Sequence, residues 1–88
     1  MALVGGDAPA LFGFANELRR RRANIEATTR KLGSLVAQAN WVGPDRERFL
    51  SEWNGRHAPA LMTVVQELGE AASQVSYHAQ QQERASRS

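Results

Sequence analysis

No cysteine occurs in the 88-residue chain. Disulfides and thiolate metal sites are therefore excluded, and the redox compartment leaves no mark on the sequence. Aromatic residues make up 7% of the chain, and there are seven Gly and three Pro. So few strand-formers and turn residues argue against a β-rich fold. No apolar run approaches the roughly 20 residues needed to cross a bilayer, so membrane insertion is not expected. The opening Met1-Ala2-Leu3-Val4-Gly5-Gly6 has neither the basic start nor the apolar stretch of a signal peptide. If the protein leaves its cell, a route other than general secretion is expected. The net charge is only +2, from 11 Lys and Arg against 9 Asp and Glu. A chain of this length makes one small domain that is hard to stabilise alone.

What is present is organised around Asn40-Trp41-Val42-Gly43-Pro44-Asp45. Asn and Gly tolerate left-handed backbone and stop helices. Pro44 suits the first turn of a new helix, and Asp45 and Glu47 place negative charge at its partly positive end. Both flanks read as helix, which predicts an all-α hairpin folded at Trp41–Gly43. Residues 1–7 read as a flexible leader, with Asp7 as N-cap and Pro9 in the first helical turn. Leu11, Phe14, Leu18, Arg21, Ile25, Thr28, Leu32, Leu35 and Ala39 then alternate spacings of three and four. This is the stripe of a helix packing in coiled-coil style over about residues 8–39, roughly 48 Å long.

The second helix is expected over about 44–80, after a turn at 40–43. One stripe runs Phe49, Trp53, His57, Ala60, Val64, Leu68, Ala71, Val75, and a second runs Leu50, Leu61, Val65, Ala72, Ala79. That face is broader than one neighbouring helix can cover. Asn54-Gly55 and Pro59 interrupt the helical signal. The phase from Trp53 to Val64 favours one helix kinked at 55–59 over two helices joined by a loop. The polar segment 81–88 is expected to fray into disorder.

Catalytic chemistry finds little to stand on. His57 and His78 are the only histidines, and neither has a second ligand at helical spacing. No serine sits in a strand-to-helix elbow, and Gly5-Gly6 follows no strand. Long thin helices offer no deep pocket. The chain is read as a non-enzyme with no cofactor and no metal. The run Arg19-Arg20-Arg21-Arg22 points around the whole helix, so it reads as a solvated segment, with the Arg21 stem lying along the seam. Its alternative reading is an anionic-surface or nucleic-acid footprint. Trp53 fits the core stripe. Trp41, in the turn, is better covered by another chain.

Trp41-Val42-Gly43 between two helices, followed by Asp45, Phe49 and Trp53, resembles the WXG family. These are ESAT-like small proteins of type VII secretion, and the likeness extends through Pro59-Ala60-Leu61, Leu68 and the tail from Ala79 to Ser86. The resemblance implies a hairpin that pairs antiparallel with itself or with a sibling chain into a four-helix bundle. It also implies export in the folded, paired state by a membrane machine with an FtsK-like ATPase, as substrate or as escort for a larger effector. The chain would be cytoplasmic before export and secreted without a signal peptide. The family's export signal has an acidic residue four after a Tyr. Here Gln81 follows Tyr77 at that spacing and the nearest acid is Glu83, a degenerate form in which either Glu83 serves from an altered spacing or, the favoured reading, a partner carries the signal.

These readings assign Trp41, Gly43, Phe49 and Trp53 to the turn motif and partner contact. The dimer seam is assigned to Leu11, Phe14, Leu18, Ile25, Leu32, Leu35, Leu61, Val64 and Leu68. Two alternatives stand beside them: a nucleic-acid or anionic-surface binder using Arg19–Arg22, and a structural chaperone for a neighbouring toxin.

Overall fold

A computed structural model describes residues 7–87, and they form an all-helical hairpin with no strand among them. Helix α1 spans Ala8–Gln38, α2 spans Pro44–Glu52, a π-helical turn spans Trp53–His57, and α3 spans Ala58–Arg87. The leader at 1–6 lies outside the described residues. The extents are 66 × 17 × 15 Å and the radius of gyration is 19.5 Å. A compact domain of this length would have a radius near 12 Å. The hairpin is thus a rod one helix pair thick, with no interior beyond the strip between its two helices.

Asp7 caps α1 by accepting from the Ala10 N–H at 3.3 Å, with Pro9 in the first turn. The helix ends at Ala39, which turns extended while its N–H still reaches the Leu35 carbonyl. Among the described residues only Gly43 has positive φ, at 115°. With ψ at 179° this is backbone that side chains resist, and Gly provides it at the point where Pro44 starts α2.

The helix beyond the turn runs from Pro44 to Arg87 without a loop, but its inward phase does slip. Arg46, Leu50 and Trp53 are half-buried before the π turn; Ala58, Leu61 and Val65 turn inward after it. The step from Trp53 to Ala58 is five residues, and the Ala58 N–H bonds the Trp53 carbonyl. The steady stripe through His57, Ala60 and Val64 is therefore not the inward one, since all three are exposed. Pro59 offers no N–H and crowds the carbonyl four residues before it. One extra residue in a wide turn accommodates that clash without breaking the helix.

At the far end α3 continues through 81–87, the segment whose composition reads as a fraying tail. Gln81 and Gln82 are half-buried, and Glu83 pairs with Arg87 at 3.2 Å across one helical turn. Gln81 and Gln82 reach the start of α1, whereas 83–87 are exposed and continue the helix on its own ladder, with the Glu83–Arg87 pair across it.

Candidate interaction surface

The buried residues are small and, within each helix, are spaced by multiples of seven. On α1 they are Ala15 and Thr29; on α3 they are Val65, Ala72 and Ala79. Val65 is the largest fully buried side chain. The Thr29 hydroxyl donates to the Ile25 carbonyl at 2.7 Å, so burial leaves it satisfied. Position 22 falls on the same track and is an arginine. Arg22, not Arg21, therefore occupies the seam, and it fits because Gly69 faces it. A Cβ on residue 69 would stand 3.2 Å from the Arg22 Nε.

In an antiparallel hairpin, the residue just before a seam position lies on the same side of both helices. That side is mainly apolar, although Arg21 and His78 lie on it as well. Leu11, Leu18, Ile25 and Leu32 of α1 flank the seam together with Leu61, Leu68 and Val75 of α3, and all but Leu32 are half-buried. Farther out on the same side stand Phe14, 54% exposed, Leu35, 53% exposed, and Val64, 41% exposed. Ile25, Thr28 and Leu32 share a shallow groove of about 250 Å³ with Leu61, which places residues of both helices on one surface. All nine residues assigned to a pairing seam lie on this side, and none is fully buried.

The opposite side is mainly polar, although half-buried Phe12 and exposed Met62 also lie on it. Asn16, Arg19, Glu26 and Arg30 of α1 lie there with Gln66, Ser73 and Ser76 of α3. Arg19 bridges the two helices, donating to Ser76 at 2.9 Å and to Asn16 at 3.3 Å. Arg20 and Arg21 both bond Glu17, at 2.9 and 2.8 Å. The four arginines are thus splayed, two of them onto one carboxylate, one onto α3 and one across Gly69.

At the tip, Trp41 and Phe49 meet with ring centroids 5.6 Å apart. They remain 39% and 38% exposed, and neighbouring Val42 is 87% exposed. Trp53 is half-buried against α1 at Gly33, where an added Cβ would stand 3.6 Å from its indole nitrogen. The tip therefore divides its aromatics. Trp53 anchors the helix pair, while Trp41, Val42 and Phe49 make an apolar cap open to solvent.

At the opposite end, Tyr77 is 58% exposed and Gln81 lies one turn on along its face. Glu83, six residues from Tyr77, is rotated by roughly 120° from that face and is held by Arg87. His57 lies in the π turn and His78 beside Tyr77, with ring centroids 6.0 Å apart in the latter pair. No cluster of three metal-ligating side chains occurs among the described residues.

Two features escaped the sequence reading. One is the seam track at 15, 22 and 29, small at Ala15 and Thr29 and filled by Arg22 between them. The other is the five-residue step at the π turn. The first was legible as heptad spacing, but larger apolar neighbours masked it. Compared with family models, with curated proteins and with solved structures, the chain shows no match.

Proposed function

We propose that this chain is a non-enzymatic helical hairpin of WXG type, which pairs through its apolar side with itself or a sibling hairpin. The product is a four-helix bundle, handled in that state by a type VII secretion machine as substrate or escort. The carrying observation is the uneven distribution of apolar surface on the rod: Phe14, Leu32, Leu35 and Val64 stand exposed on one side, while the other is mainly polar, with Met62 its one large apolar side chain of comparable exposure among the described residues. A fully exposed large apolar side chain forgoes about 1.5–3 kcal/mol relative to burial, and half-exposed ones forgo roughly half of that. A continuous row of them is the usual mark of an association surface. The secretion assignment rests on the resemblance carried by Trp41-Val42-Gly43 at the tip, where Trp41 and Val42 are presented to a partner. The splayed, paired arginines give no single basic patch and do not favour a nucleic-acid reading.

The test is absolute mass by light scattering, with circular dichroism on the same sample. Self-pairing predicts a helical species at twice the chain mass of 9.7 kDa. A sibling partner predicts that the stable helical species forms only on co-expression with a hairpin encoded nearby. A helical monomer that binds no such neighbour would sink the pairing. Export of the tagged chain that is unaffected by deleting the host's secretion ATPase would sink the type VII assignment while leaving the bundle intact.

A further inference from the structure

The dipeptide Asn54-Gly55 is a strong turn signal that the pairing surface does not use. It sits inside a helix, in the π turn, with both residues exposed. A Cβ at residue 55 would meet nothing within 4 Å. Pro59 lies four residues after Gly55 and five after Asn54, the donor positions that α and π turns would use for those two carbonyls. Lacking an N–H, it can serve neither. Gly55 adds the greatest backbone freedom of any residue. Three weaknesses thus coincide in one turn, between long stretches of regular helix.

We infer that Asn54-Gly55 is a site of spontaneous intramolecular deamidation, reached by local opening of the π turn and not by unfolding of the hairpin. The Gly55 backbone nitrogen attacks the Asn54 side-chain carbon Cγ. The N–Cγ bond forms, the Cγ–Nδ2 bond breaks, and the proton from the Gly55 nitrogen leaves with the ammonia. Water then opens the succinimide at either carbonyl, giving aspartate or isoaspartate. Water is the sole co-reactant and no electron transfer occurs. Gly at position 55 leaves the attacking nitrogen unshielded. Helical backbone holds that nitrogen away from Cγ, so the reaction runs from the open turn, whose population is set by local rather than global stability. Either product places a carboxylate next to Trp53, the aromatic that anchors the tip. Isoaspartate also inserts a backbone methylene that the helical ladder cannot accommodate, which uncouples α2 from α3.

The experiment incubates the full chain at mildly alkaline pH and follows Asn54 by peptide mass mapping and an isoaspartate assay. It is run in native buffer and in denaturing urea, with circular dichroism as the check on folding. In native buffer Asn54 converts to both products. Pro59→Ala, which restores the donor, slows the native conversion several-fold and leaves the rate in urea unchanged. Val65→Ala weakens the seam well away from the turn and leaves the native rate unchanged. Equal native rates for Pro59→Ala and the parent chain overturn the inference. So does a Val65→Ala rate that rises with the loss of stability, because global unfolding is then the route. Conversion in urea with none in native buffer overturns it as well.

Discussion

Arg22 lies across Gly69, with its guanidinium Nε 3.2 Å and its Cδ 3.5 Å from where a Cβ on residue 69 would stand. A charged residue thus sits at a seam position of α1 because the opposing position of α3 has no side chain. Its stem covers the seam and its head reaches the polar side, toward Gln66, Glu70 and Ser73. The crowded atoms belong to a flexible side chain, so Gly69→Ala needs only a small shift of Arg22. Ala gains up to about 1 kcal/mol over Gly within a helix. Gly69→Ala is therefore expected to raise the urea midpoint. Gly69→Leu, which must displace Arg22 outright, is expected to lower it.

The small seam residues set how closely the helices approach. Ala15, Ala72 and Ala79 are 0% exposed, so there is no room to grow. Ala72→Leu is expected to cost about 1–3 kcal/mol by forcing the helices apart. Val65→Ala removes two buried carbons and is expected to cost roughly 2 kcal/mol. Thermal unfolding by circular dichroism measures both, and a neutral Ala72→Leu would contradict the close-packed seam.

Gly43 holds the turn at φ 115° and ψ 179°. No neighbour crowds it, since nothing lies within 4 Å of a Cβ there. Backbone conformation alone therefore opposes substitution. Gly43→Ala is expected to cost on the order of 1–3 kcal/mol. Gly13→Ala, also uncrowded but inside α1, is expected to add up to about 1 kcal/mol. Opposite signs at two open glycines would separate conformation from packing.

Leu32 and Val64 are each 41% exposed and belong to different helices on the apolar side. Leu32→Asp with Val64→Asp is expected to shift a paired species toward monomer. Little helix should be lost within each chain that stays folded. Light scattering gives the mass and circular dichroism the helix content. The polar-side control, Gln66→Asp with Ser73→Asp, is expected to leave assembly within experimental error. Equal effects from both pairs would remove the apolar side as the association surface.

The Asp7 carboxylate accepts from Ala10 at 3.3 Å, one of the four N–H groups that a helix start leaves unpaired. Asp7→Ala is expected to cost about 0.5–1 kcal/mol, seen as a small fall in melting temperature. Glu17→Gln breaks ion pairs whose arginine side chains are 69% and 68% exposed. The change expected there is within about 0.5 kcal/mol.

The helices and the turn were legible because they depend on local chemistry: Asp7 as a cap, Gly43 for positive φ, Pro44 at a first turn. The apolar side was legible too, as the stripe through Leu11, Leu18, Ile25 and Leu32. What periodicity could not assign was which face meets which helix. Large apolar residues at 14, 32 and 35 weigh most in any hydrophobic pattern, whereas the buried positions 15, 72 and 79 are alanines. The slip at the π turn was hidden because Trp53, His57, Ala60 and Val64 keep a regular spacing that the backbone does not follow.

The order of residues along this chain determines a hairpin with one greasy side, since capping, turn geometry and three-four spacing act within a few residues of themselves. Only the tertiary structure decided that small residues form the seam and large ones flank it. Two long helices gain most by lying close along their whole length, and alanine permits that approach where leucine or phenylalanine would hold them apart. The large side chains are thereby left on the rim, which turns a two-helix rod into a surface with something still to cover.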